Sequence, residues 1–408
     1  MIWRNWPSRW TKIATTEGRP VTVDQVVESS LLAGSKVEVR RRPIAGGELR
    51  LATRGHFSWS FDHYAEDASK IVNAQRAFWR DQAGDYTVTL FPLAPSPGVS
   101  SMGGTGRAFG FVQYASADTD FGSLFRIIAH EHAHTWIPNR LGRSNENTPA
   151  EVFWLSEGFT DFYTAESLLR SGLWTPQQFA DDLNRTFAGL ASSTARNYPN
   201  SRIIKEFWTD PAVGQLPYDR GHLFALLLSY ELKKKTGTDL GRLLIEMRDR
   251  WVAAPADAKP LLVTNLLQAA DEVGFDVRPL IAKYIDDGQT ITLPQELFGS
   301  CATIQNTSMP VFEWGFDREA SAKAGVFTKV DPTSAAYAAG LRNGMKRIAR
   351  LGGQESDARV PLSYRVRDGS SERVISWLPV GKTSITVQKI VLAPNATLPT
   401  CNWSPSHQ

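Results

Sequence analysis

The chain has 408 residues, of which 42% are hydrophobic and 31 are glycine, so it can bury a sizeable core divided among two or three domains. A formal net charge of +3 gives no basis for nucleic-acid binding. No run of about 18 apolar residues is present to form a transmembrane segment, and the basic clusters Arg40-Arg41-Arg42 and Lys233-Lys234-Lys235 read as solvated ends of a strand and a helix.

In chain order, residues 1–60 read as β-rich, with alternating runs Lys36–Arg40 and Glu48–Ala52 turning at Gly46-Gly47. An amphipathic helix follows, with Tyr64, Ala68, Ile71, Val72, Gln75, Phe78 and Trp79 at helical spacing. Tyr86–Phe91 reads as a strand ended by Pro92, 95–106 as a Pro/Gly/Ser loop, and Ala108–Tyr114 as a second strand at the edge of a cleft.

The next segment carries the chemistry. His130-Glu131-His132-Ala133-His134 spells His-Glu-x-x-His within the apolar run Phe121–Trp136, capped by Asp118 or Asp120. On a helix, His130 and His134 lie one turn apart on one face, a spacing at which two imidazoles can share one zinc ion. Glu131 lies to the side, where it can act on a water instead of binding the metal. His132 faces elsewhere and is assigned no metal role. Thr148-Pro149-Ala150-Glu151 reads as a helix start, and the helix runs to near Gly172. On it Glu157 and Asp161 sit one turn apart among large apolar residues, where carboxylates need a cation or hydrogen bonds. Glu157 is therefore the candidate third ligand, and Asp161 the acceptor for the free ring N–H of a ligand histidine.

From 173 to 298 the pattern is helical: Thr175-Pro176 opens one helix, Tyr218–Lys235 forms another stopped by Gly237, and Leu240–Trp251, Leu261–Val273 and Val277–Tyr284 continue. Residues 299–395 become strand-like and Gly-rich.

The His-Glu-x-x-His motif followed by Trp154-Leu155-Ser156-Glu157-Gly158-Phe159-Thr160-Asp161 resembles the glycyl aminopeptidase family of gluzincin metallopeptidases, a relative of the aminopeptidase N family. Trp136 and Asn139 fall where those enzymes have His-Glu-x-x-His-x-Trp-x-x-Asn, and Tyr218-Asp219-Arg220-Gly221 resembles their Tyr-Glu-Lys-Gly. Trp314-Gly315-Phe316 resembles the carboxylate-binding loop of PDZ domains, and 325–341 their following strand and helix. The resemblance spans residues 60 to 395. It implies an α+β chain: a thermolysin-like gluzincin domain over 61–298, with an α/β lobe (61–172) holding the zinc site and an α-helical lobe (173–298). Around it stand a short N-terminal β segment (1–60) left from a larger β domain, and a β-rich PDZ-like domain with its tail (299–408). It further implies one Zn2+ per chain on His130, His134 and Glu157, Glu131 as general base and Tyr218 as oxyanion donor. Asp161 and Asn139 support the ligands, and Gly103, Gly104 and Arg107 lie at the substrate. The family's substrate loop carries an acid that holds the substrate's amino group. The matching stretch here, Ser101–Arg107, has none, which leaves exo or endo cleavage open.

Cys301 and Cys401 bracket the PDZ-like region. A bridge between them would close a loop of about 100 residues, worth about 4–5 kcal/mol in the chain-entropy model, and would imply an oxidising compartment. Two unrelated thiols fit the sequence equally well. The family and this pair favour a periplasmic or extracellular location, whereas Met1–Trp6 lacks an apolar export signal and as written would leave the chain cytoplasmic. The function expected is a zinc metallopeptidase acting on peptides or proteins. The alternative is a PDZ-type module that binds peptide C-termini on a weakly active or inactive zinc scaffold.

Overall fold

The computed structural model describes residues 11–14, 21–82, 84–94, 101–107, 109–117, 119, 121–145, 147–353, 357–394 and 396–397. It is mixed α+β. Strand β1 (Thr11–Ala14) pairs antiparallel with β2 (Leu31–Gly34), and between them lies the short helix α1 (Val23–Val27). The expected hairpin is present as β3 (Val37–Ile44) and β4 (Gly47–Arg54). Gly46 has φ +77 at its turn, and a Cβ there would overlap Gln82. The hairpin is continuous with the central sheet. Helix α2 (Phe61–Trp79) crosses over, and β5 (Tyr86–Leu93) then pairs parallel with β4. Tyr64, Ala68, Ile71, Val72, Gln75 and Trp79 of α2 are buried. Strand β5 runs beyond Pro92 because β4 pairs only as far as Leu90. Past that point the missing proline N–H costs no ladder bond on that side.

The largest departure from expectation is at 102–107. This stretch is not a loop but the edge strand β6 (Met102–Arg107), antiparallel to β7 (Gly110–Ser116), in a five-stranded sheet of order β3-β4-β5-β7-β6. Its glycines make it a strand here by letting neighbours close in. A Cβ on Gly103 would stand 2.6 Å from Tyr114 Cζ, and one on Gly104 2.7 Å from Phe111 Cε2. The rest of the 95–106 expectation, residues 95–100, lies outside the described residues.

Helix α3 (Phe121–Ala133) buries Leu124, Phe125, Ile128 and Ala129. The proposed caps Asp118 and Asp120 lie outside the described residues. A 3-10 turn (Pro149–Val152) leads into α4 (Phe153–Arg170). Thr148 does not cap a backbone N–H. Its hydroxyl donates to the Glu151 carboxylate at 3.0 Å. Helix α5 (Pro176–Ser192) opens on a Thr175/Gln178 capping box. After α6 (Asn200–Glu206) comes α7 (Pro211–Thr236), which ends on Gly237 as expected but starts seven residues before Tyr218. Asp210 caps it, and Pro217 sits inside, giving up one intrahelical donor. Helices α8 (Leu240–Ala253), α9 (Leu262–Glu272) and α10 (Arg278–Ile281) complete the helical part.

In the C-terminal region, β8 (Ala302–Phe312) is followed by α11 (Arg318–Ala324), α12 (Ala335–Ala338), the meander β9 (Lys346–Gly352), β10 (Leu362–Asp368) and β11 (Ser371–Trp377), and finally β12 (Val380–Leu392). The long ribbon β8–β12 contributes Ile304, Met309, Val387 and Ile390 to the same apolar core as helices α2, α3, α4 and α7. Residues between its strands form a second core around Phe316, Phe327, Leu341, Tyr364 and Trp377. Segment 325–330 is not a sheet strand. It pairs only through the bridge Val326–Lys346, with Phe327 tied to Met345 and Gly344. Cys301 is disulfide-bonded, and the described residues include no free cysteine. Its candidate partner Cys401 lies outside the described residues. No helix among the described residues is long and apolar enough to cross a membrane.

Candidate active site

His130, in the last turn of α3, and His134, one turn on and just past its end, face Glu157 on α4. Their Nε2 atoms are 3.1 Å apart, and Glu157 Oε2 lies 3.3 Å from one and 3.5 Å from the other. The opposite ring nitrogens fix the tautomers. His130 Nδ1 donates to Asp161 Oδ1 at 2.8 Å, and His134 Nδ1 to the Ile137 carbonyl at 2.7 Å. Each Nε2 is thereby left as an acceptor, and two imidazole lone pairs and a carboxylate oxygen converge with no hydrogen between them. Such a set needs a cation at its centre. The donors fit zinc: bonds of about 2.0–2.1 Å in a tetrahedron place ligand atoms about 3.3 Å apart, which matches the three separations. Without a metal, protons compensate. Burial opposes charge on His130, but hydrogen bonds to Asp161 and Glu157 outweigh it and raise its pKa to about 10. Burial likewise opposes ionisation of Glu157, yet hydrogen bonds from His130 and His134 bring it down to about 2.

Around this centre, Asp161 is buried and also meets Arg126 Nη2 at 3.2 Å, while Arg126 Nε reaches Asp182 at 3.4 Å. Arg126 lies one turn before His130 on α3, a spacing that could have marked it in the sequence. Asn139 acts on the chain rather than on a ring, since its Nδ2 donates to the His134 carbonyl at 2.7 Å. His132 is buried, bonded to Gln75 Oε1 at 2.6 Å, and desolvation lowers its pKa to about 3, so it stays neutral in the core.

Glu131 and Tyr218 line one cleft of about 1400 Å³ together with His130, Gly103 and Gly104. Strand β6 passes over Glu131, with the Cβ position of Gly106 3.8 Å from its Oε2. The Tyr218 ring stacks on the His130 ring at 6.2 Å between centroids. Burial and then the charges of Glu157, Asp161 and Glu131 push the Tyr218 phenol well above its ordinary pKa, so it remains a donor. Arg107 does not line the cleft; its guanidinium turns back to Thr105 Oγ1 and the Gly106 carbonyl. Of the PDZ-like triplet, Phe316 is buried in the second core and Trp314 faces the cleft. Asp219, the second residue of the Tyr218–Gly221 motif, lines the cleft from α7, and so does Asp182 from α5, which carries no motif in the sequence.

Residues 123–203, which include both histidines, Glu131, Glu157 and Asp161, match the M61 glycyl aminopeptidase family. No curated protein matches the chain. Among solved structures, the chain is similar to an aminopeptidase N family protein from Idiomarina loihiensis, with 16% identity, 94% of this chain and 75% of that one covered, and a TM-score of 0.64. An M1 zinc metallopeptidase from Deinococcus radiodurans aligns over 70% of this chain and 63% of its own, at 16% identity and a TM-score of 0.45. The chain therefore contains an M61-type segment around its metal-ligand cluster, within a fold shared with the Idiomarina protein.

Proposed function

We propose that this chain is a zinc-dependent peptidase of the aminopeptidase-like class. The observation that carries the reading is the convergence of the His130, His134 and Glu157 lone pairs, with His130, Glu131 and Tyr218 lining one cleft. Zinc, when bound there, would acidify a water and polarise a peptide carbonyl. The residues of the chain do the rest. Glu131 accepts the water's proton and returns it to the leaving amine. Tyr218, stacked beside His130 and held protonated, donates its hydroxyl to the oxygen on which charge develops. Asp161 holds His130 in the liganding tautomer. The backbone of edge strand β6 offers unpaired groups along the cleft to an extended peptide, and Gly103 and Gly104 leave it room to approach.

The test is the zinc-loaded Glu131→Gln variant against wild type on a mixed peptide library with free or acetylated N-termini, read by mass spectrometry. We expect the variant to keep one zinc per chain and lose turnover. Undiminished cleavage by the variant would sink the mechanism. Release of single residues from free N-termini alone identifies an aminopeptidase, and internal cuts in both sets an endopeptidase. Zinc retained with no cleavage by wild type would favour the peptide-binding alternative.

A further inference from the structure

The two histidines of the metal-ligand cluster are held in different ways. His134 Nδ1 donates to the Ile137 carbonyl at 2.7 Å, a backbone group with no side-chain torsion of its own. His130 Nδ1 donates instead to a side chain on another helix, Asp161 Oδ1 of α4, at 2.8 Å. The terminal torsion of a carboxylate is broad, so this single bond would not fix the imidazole ring. A second group does. Arg126 Nη2 meets the other oxygen, Asp161 Oδ2, at 3.2 Å. Arg126 and His130 stand one turn apart on α3, so one helix brackets the carboxylate, with a cation on one oxygen and the imidazole on the other.

The guanidinium is itself tethered. Its Nε lies 3.4 Å from Asp182 Oδ1 of α5, and the same oxygen takes Arg185 Nη2 at 2.8 Å. The Asp161 and Asp182 side chains are 7% and 5% exposed, so leaving either without a cation would be costly. From α7, Asp219 acts on Arg126 and His222 on Asp161. A planar guanidinium can serve two carboxylates in fixed directions, whereas an ammonium, a compact point charge, fixes neither. We propose that Arg126 is a positioning residue for the metal-ligand cluster: it holds Asp161 in the orientation that presents the His130 ring to a metal, and Asp182 keeps the guanidinium in place. This rests on the zinc site of the reading above and not on turnover. It adds to that site a residue outside the His-Glu-x-x-His motif that sets metal affinity.

The experiment measures zinc affinity, by competition with a chromogenic chelator, in full-length wild type, Arg126→Gln, Asp161→Asn and the double variant. Urea denaturation of the same zinc-free preparations runs in parallel. Arg126→Gln should weaken zinc binding about tenfold, the low end of the range for groups that support metal ligands. In the Asp161→Asn background the same change should do little, because its effect runs through a carboxylate that is gone. A merely structural ion pair would lower the urea midpoint and leave the zinc affinity of the folded protein unchanged. Should Arg126→Gln fail to fold, Arg126→Lys, which keeps the charge, goes through the same cycle, with a smaller loss of affinity again confined to the protein that retains Asp161. Zinc affinity unchanged by the substitution, or weakened equally in both backgrounds, overturns the proposal. Wild type that binds zinc but cleaves no peptide defeats the peptidase reading alone, and the affinities then still decide the role of Arg126.

Discussion

Gly158 on α4 and Gly221 on α7 meet backbone to backbone: a Cβ on Gly221 would lie 2.8 Å from Gly158 Cα and would overlap the Trp154 carbonyl. This is what sets the separation of the two helices. Glu157 precedes one glycine and Tyr218 lies three residues before the other, so the contact also sets the spacing between the third ligand and the phenol. Gly221→Ala should cost about 1–3 kcal/mol of stability, because neither backbone can yield alone. It should also lower turnover by displacing Tyr218, with zinc still bound. Urea denaturation and metal content, measured on the same preparation, check both halves.

Tyr218→Phe removes one donor and little volume. We expect kcat to fall about 100- to 1000-fold, with zinc content unchanged. Steady-state kinetics on a peptide that wild type cleaves settles this, and a fall below tenfold would remove Tyr218 from the reacting centre.

Asp161→Asn leaves a side chain of the same shape but without charge, beside both His130 and Arg126. Zinc affinity should drop about 10- to 100-fold, since His130 loses the partner that orients and polarises it. Competition with a chromogenic chelator measures the change.

The Asp219 carboxyl is raised to about 7, chiefly by burial, with the charges of Asp161 and Asp182 adding and the hydrogen bond from Gln215 opposing. In the unfolded chain it titrates near 3.9. Between about pH 4 and 7 the folded protein therefore holds a proton that the unfolded chain has lost. This group's contribution to stability falls as pH rises through that window, and the loss is complete above the folded value. In the zinc-free protein Asp219→Asn should flatten the slope, making the variant more stable relative to wild type at pH 8 than at pH 4. Urea midpoints at the two pH values test it, and parallel curves for both proteins would refute it.

How much of this could be read in the sequence depends on how local each relationship is. His130 with His134, and Glu157 with Asp161, are pairs on single helices, where spacing dictates a shared face. Tyr218 comes from another helix, and no spacing rule links it to His130; only resemblance pointed there. Pro217 hid the first turns of α7, because proline inside a helix reads as a start. Strand β6 was illegible for the opposite reason: Gly103, Gly104 and Gly106 have poor strand propensity, and the advantage of glycine appears only once Tyr114 and Phe111 lie against it. The orientation of Trp314 toward the cleft depends on how β12 packs on α5, which no local pattern encodes.

The ribbon β8–β12 has a consequence for anyone dividing this chain. Its outer ends meet at Phe312 and Val380, so the meander, its helices and their separate core are an insertion looped out between two partners of one hairpin. Truncation at residue 299 would strip Ile304, Met309, Val387 and Ile390 from the main core and leave an adhesive apolar scar. Deleting 313–379 and joining Phe312 to Val380 through a tight turn would excise the inserted part alone, a graft boundary at which other modules could be mounted.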